Sequence, residues 1–179
     1  MNFIDARPWY LKAAEAGNSN AMLGYGHMLY YGEGGAKDRS AASHWYMKGA
    51  EAGNFDAMNS YGRMLLNGEA GPKDLASARR WFHAGAAGGS AVAMTSYGYM
   101  LHLGLGGHKD TAEARQWYGK AAALGEKNAE GNLAVMDRRT GSRGSGSRGG
   151  GGGYSQDSSP GLSGRGRPCF LPSEQGIGC

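Results

Sequence analysis

Hydrophobic and small residues recur along this chain in fixed columns, 36 residues apart. Trp9-Tyr10, Trp45-Tyr46, Trp81-Phe82 and Trp117-Tyr118 hold all four tryptophans in one register. Ala6, Ala42, Ala78 and Ala114 precede the aromatic pairs, and Gly17, Gly53, Gly89 and Gly125 follow them. Further on come Ala21, Ala57, Ala93 and Ala129, then Met28, Met64, Met100 and Met136. Gly32, Gly68 and Gly104 come next, and Lys37-Asp38, Lys73-Asp74 and Lys109-Asp110 close the unit. No insertion or deletion interrupts the columns. A period of this length marks a stacked-repeat protein, because one such unit cannot bury its apolar face alone.

Polar positions divide each unit into two predicted helices. In the second unit, helix A runs from about Asp38 to Ala52 and helix B from about Phe55 to Leu66. Asp38, Asp74 and Asp110 are natural N-caps, since a short carboxylate accepts from the free N–H groups of the first turn. Glu113 completes a capping box with Asp110. Gly17, Gly53, Gly89 and Gly125 suit the left-handed position that ends a helix. Asn18, Asn54 and Ser90 then cap helix B, while Glu126 in the fourth unit predicts a later start, near Asn128. Glycine inside a helix costs roughly 1 kcal/mol relative to alanine. Its repetition at Gly26, Gly62 and Gly98 therefore predicts close helix approach. The aromatic pairs read as core wedged between units rather than as a ligand platform. Asp137, where other units have leucine, predicts a solvent-facing end to the array.

The pattern Ala-x-x-Trp-Tyr-x-x-x-Ala-x-x-Gly, with Gly-x-Gly-x-x-Lys-Asp closing the unit, resembles the Sel-one-like repeat over roughly residues 5–139. That family is a relative of the tetratricopeptide repeat. The resemblance implies an all-α fold: a right-handed α-solenoid of stacked helix-turn-helix units over residues 1–140. One departure is systematic. Tyr25-Gly26, Tyr61-Gly62 and Tyr97-Gly98 precede Leu29, Leu65 and Leu101, whereas the family has leucine first. The exchange conserves volume on one helix face, which cores tolerate well. The fourth unit reverts to Leu133-Ala134.

The resemblance further implies a protein–protein adaptor or scaffold whose concave face is lined by helix A. On a helix that buries Trp45 and Tyr46, the opposite stripe holds His44, Lys48 and Glu51. The same stripe gives Pro8, Lys12 and Glu15, then Arg80, then Gln116 and Lys120. These residues differ from unit to unit, as a recognition surface requires. A hydrolase activity of the penicillin-binding or β-lactamase type is attributed to cysteine-rich relatives. No Ser-x-x-Lys, Gly-x-Ser-x-Gly, His-Glu-x-x-His or phosphate-loop motif is present, so the expectation is a non-enzyme without cofactor.

Composition changes the picture only beyond residue 140. The last 39 residues hold four arginines and two acids, leaving fifteen basic and thirteen acidic residues in 1–140. Neither part carries a strong field. Residues 141–179 are rich in Gly, Ser and Arg and too poor in apolar groups to repay ordering, so a disordered tail is expected. Its Arg143-Gly144, Arg148-Gly149-Gly150 and Arg165-Gly166-Arg167 allow an alternative, RNA contact through phosphate attraction and arginine stacking. Gly144, Gly146 and Gly149 match a dinucleotide fingerprint without the strand and helix it needs. Cys169 and Cys179 are expected as free thiols. His27, His44, His83, His102 and His108 occupy different columns and show no metal-ligand spacing. With no signal peptide or apolar span in the sequence, a cytosolic or nuclear location is the expectation.

Overall fold

The computed structural model describes residues 2–144, with side chains through Arg138. Eight helices make up the described residues: α1 (Phe3–Glu15), α2 (Ser19–Tyr31), α3 (Arg39–Glu51), α4 (Phe55–Asn67), α5 (Leu75–Ala87), α6 (Ala91–Leu103), α7 (Thr111–Ala123) and α8 (Lys127–Gly144). Odd-numbered helices are helix A of each unit and even-numbered ones helix B. Each packs on its neighbours in chain order, forming an α-solenoid without strands among the described residues. The broadest packing joins helix B to helix A of the following unit: α2 to α3, α4 to α5 and α6 to α7.

The helix boundaries follow from caps. Asp38, Asp74 and Asp110 accept from the N–H groups of Ala41, Ser77 and Glu113 at 2.8, 2.9 and 2.8 Å. That donation from Ser77 holds the Asp74 carboxyl below the usual carboxylate range. Asn18, Asn54 and Ser90 cap helix B, accepting from Ala21, Ala57 and Ala93. In the fourth unit α8 starts at Lys127, earlier than expected, because the longer Glu126 side chain reaches the Ala129 N–H at 2.9 Å. The same carboxylate accepts from the Thr95 hydroxyl at 2.8 Å, tying α8 to α6. Helix A ends in a paired closure: Gly53 N–H donates to Ala50 C=O and Asn54 N–H to Gly49 C=O, both at 3.0 Å. Gly53 adopts φ 83°, a left-handed conformation that glycine enters without steric cost. After helix B, the Asp38, Asp74 and Asp110 N–H groups donate back to Leu29, Leu65 and Leu101 C=O at 2.9 to 3.0 Å.

The core lies between successive units. Tyr46, Phe82 and Tyr118 are buried, and each ring lies against the helix-B glycine of the preceding unit. A Cβ at Gly26 would come within 2.6 Å of the Tyr46 ring, at Gly62 within 2.8 Å of Phe82, and at Gly98 within 2.9 Å of Tyr118. The recurrent glycine is thus the seat of the next aromatic. In the fourth unit the position is Ala134, which is exposed and receives no ring from the described residues. Asp137 is exposed as expected and forms an ion pair with Arg115.

Two expectations need correction. The tryptophans are not fully buried core: Trp45, Trp81 and Trp117 are half-buried, and Trp9 is 67% exposed. Adjacent helical positions point about 100° apart, so only the second residue of each pair reaches the seam. Secondly, α8 continues to Gly144, past the expected end near Arg139. The expectations for residues 145–179, including both cysteines, lie outside the described residues.

Candidate functional site

The half-buried tryptophans form a repeating surface with tyrosines of the preceding helix B. Tyr25 meets Trp45 edge-on with ring centroids 5.5 Å apart, Tyr61 meets Trp81 at 5.7 Å, and Tyr97 meets Trp117 at 5.6 Å. Edge-to-face pairs at such distances are favourable because the positive ring edge meets the negative ring face. Three rungs therefore recur along one side of the solenoid, each joining adjacent units.

Charged side chains flank the rungs. The Lys48 ammonium sits 4.8 Å from the Trp45 ring centroid, Lys120 lies 4.1 Å from Trp117, and Lys12 lies 5.9 Å from Trp9. A cation over an indole face is attracted by the ring quadrupole. Ala84 occupies this column in the third unit and leaves Trp81 without a lysine. The Trp117 Nε1–H donates to Glu113 at 3.1 Å. Burial, aided by Glu113, raises the Tyr97 pKa, and burial aided by Glu51 raises that of Tyr61.

Beside the third rung is an open recess of about 300 Å3, lined by Ala76, Arg79, Arg80, His83, Tyr97 and Gly106. Arg79 is fixed there: it donates to the His108 carbonyl at 2.9 Å and lies 5.9 Å from the Tyr97 ring. His83 stacks obliquely on Tyr97 at 4.8 Å and is exposed. Arg80 is also exposed and donates to Ser77 at 2.8 Å.

The sequence-derived candidates divide on this surface. His44 and Lys48 are exposed beside Trp45, and Lys120 beside Trp117, so they flank the rungs rather than lie opposite them. Glu51 acts electrostatically on Tyr61. Arg80 lines the recess, and Gln116 is exposed on α7. Sequence reasoning missed the rung residues themselves: Tyr25, Tyr61, Tyr97 and the tryptophans it assigned to the seam. The available signal was the lysine three residues after Trp9, Trp45 and Trp117, a spacing that shares a helix face. Among the described residues, no three His, Cys, Asp or Glu side chains converge as a metal site would require. No described helix is long and apolar enough to cross a membrane.

A solenoid of helical hairpins carrying a repeated aromatic face is a repeat-type interaction fold. The Sel1 repeat model matches residues 2–18, 19–54, 55–90 and 91–126, and the chain belongs to the Sel1 repeat family. Each complete match pairs one helix B with the following helix A, the junction with the broadest packing. Members of this family are typically protein–protein interaction scaffolds. Among solved structures, the chain is similar to a Sel1 repeat protein from Oxalobacter formigenes, with TM-score 0.73 and 31% identity, covering 78% of this chain and 55% of that one. It is also similar to a protective antigen of uropathogenic Escherichia coli strains displaying an SLR fold, with TM-score 0.70 and 25% identity, covering 80% of this chain and 31% of that one. Cysteine-rich protein B of Helicobacter pylori shares the fold, with TM-score 0.57 and 21% identity over 71% of this chain and 91% of that one. The chain thus spans about half and a third of the first two structures. No curated protein matches it in sequence.

Proposed function

We propose that this chain is a non-enzymatic adaptor that binds a protein partner along the Tyr–Trp face, the concave side of the solenoid. The supporting observation is the half-buried Tyr–Trp rung, repeated three times, with a lysine beside Trp45 and Trp117 but not Trp81, and with His44, Arg80 and Gln116 differing at the position before the tryptophan. Rigid aromatics anchor partners at low entropic cost, while the variable flanks select among them. His44 and Lys48 differ from Arg80 and Ala84, and those from Gln116 and Lys120. In this reading residues 1–140 do the binding and 141–179 form an appended tail.

The test is affinity capture of the partner, followed by titration with variants. Lys48→Glu combined with Arg80→Glu should weaken binding about tenfold or more, with helical circular dichroism unchanged. Trp45→Ala should weaken it further. Loss of helix signal together with binding would make those positions structural. Binding indifferent to all three changes would remove this face from the function. Deletion of 141–179 should leave affinity unchanged.

A further inference from the structure

Arg79, Arg80 and His83 come together in the third unit alone. In their columns the first unit has Pro8 and Leu11 in the last two places, the second has Ser43 and Met47 in the first and last, and the fourth has Gln116 and Gly119 in the last two. The three residues line the recess of about 300 Å3 beside Tyr97. Other arginines of the array have an acid at hand: Arg115, in the column of Arg79, pairs with Asp137, and Arg39 pairs with Glu69 at 3.7 Å. Among the described residues neither Arg79 nor Arg80 forms an ion pair.

The donors are held in place. Arg79 Nη1 donates to the Leu105 and His108 carbonyls at 3.4 and 2.9 Å. Gly107 permits that approach, since a Cβ there would sit 2.9 Å from Nη1. Arg80 Nη2 donates to the Ser77 hydroxyl at 2.8 Å. A guanidinium carries five N–H donors, so each arginine keeps donors beyond these bonds. The His83 ring, 4.8 Å from Tyr97 and 6.2 Å from Trp117, forms an aromatic wall with them.

We infer that this recess receives an acidic side chain of the protein partner, the Arg79 and Arg80 guanidiniums taking its carboxylate and the His83 and Tyr97 rings its stem. The inference rests on the Tyr–Trp face being the docking surface, and it names the chemistry of one anchor on the partner. A planar guanidinium matches a carboxylate with two parallel bonds. Charge selects the class of anion. Two acids act on the site: Asp74 on Arg80, and Glu113 on Tyr97 and Trp117. Arg79, Arg80 and the Lys120 ammonium over Trp117 oppose them. The excess is one positive charge, apart from the His83 imidazole. A single carboxylate balances it, whereas a phosphate near two negative charges exceeds it. The recess is open to water, so a lone carboxylate binds weakly and the rungs supply the rest of the affinity.

Titration of the full chain, followed through the Trp117 indole signals by NMR, tests this with a blocked glycine pentapeptide carrying a central glutamate. The signals should shift and saturate at about 1–10 mM. The same peptide with glutamine should give no saturable shift. Arg80→Gln with His83→Gln, both at exposed positions, should keep the helical circular dichroism and weaken the glutamate peptide about fivefold or more. Lys127→Gln removes an exposed cation on α8 and should leave its affinity unchanged. No saturable shift, equal binding of the glutamine peptide, or equal weakening by Lys127→Gln overturns the proposal. Tighter binding of a phosphoserine version, or of pentaglycine with only its C-terminal carboxylate free, overturns the choice of an acidic side chain. The titration needs no partner, so its failure leaves the Tyr–Trp face standing. A captured partner indifferent to Trp45→Ala and to the paired charge reversals removes the face, whatever the peptide does.

Discussion

At the scale of single residues, the seam between units is a ring on a glycine. Gly62 in α4 leaves room for Phe82 of α5, and a Cβ there would sit 2.8 Å from the ring. Overpacking a core typically costs about 1–3 kcal/mol, partly offset by up to about 1 kcal/mol of improved helix propensity. Gly62→Ala should therefore lower the urea midpoint, despite being a helix-favouring change. A midpoint at or above that of the original chain would show that the ring can move aside. The same seam predicts alkaline sensitivity. Burial raises the pKa of Tyr46 and Tyr118 well above the usual value of 10.0. The folded state therefore favours the neutral phenol. The stabilising term is fully present below the unfolded pKa near 10 and is lost as pH rises above it. Phe82 occupies the same column naturally, so Tyr46→Phe with Tyr118→Phe should fold. Denaturation between about pH 9 and about pH 11 should show a smaller loss of stability in that double variant than in the original chain.

At the scale of the element, the caps decide where each helix starts and how edges of adjacent units join. Asn54 accepts from the Ala57 N–H at 2.8 Å and donates to the Asn20 side chain at 2.8 Å, so it starts α4 while bridging to α2. Asn54→Ala should cost about 1 kcal/mol through the lost cap. Asn54→Asp should restore the cap but not the donated bond, so chemical denaturation of the two variants separates the contributions. Such caps are legible in a sequence because they depend on local geometry and short side chains. Asp38, Asp74, Asp110, Asn18, Asn54 and Ser90 all cap as expected. Glu126 escaped because its side chain, longer than the usual capping residues, still reaches the same N–H, that of Ala129. The tryptophans escaped for another reason. Periodicity places Trp45 and Tyr46 near one seam, yet their roughly 100° separation leaves one on its rim. Which residue becomes the rim depends on the twist between units, a tertiary quantity. The aromatic rungs consequently emerge only when Tyr25, Tyr61 and Tyr97 are brought beside the following helix A.

At the scale of the molecule, the first and last of the described helices are unlike, though made from the same columns. Helix α1 carries the columns that donate rings in later units, with Trp9 67% exposed and the Tyr10 ring lying partly against Gly24 of α2. Helix α8 presents an altered acceptor, in which Ala134 and Asp137 are exposed and Asp137 is engaged by Arg115. If these two substitutions prevent one chain from continuing the stack of another, reversing them should allow it. Ala134→Gly with Asp137→Leu recreates the pattern of Gly26 and Leu29, on which Tyr46 is seated. The donor columns of α1 in a second chain then find the surface that α3 finds on α2. A heterologous contact of this kind does not close on itself, so open chains follow. Light scattering of the double variant should show mass growing with concentration beyond that of the original chain. Adding Trp9→Lys to the same chain should abolish that growth, because a donor column is lost while the new acceptor remains. A double variant no larger than the original would mean that the two residues do not control the end, and that the twist or the α8 backbone does.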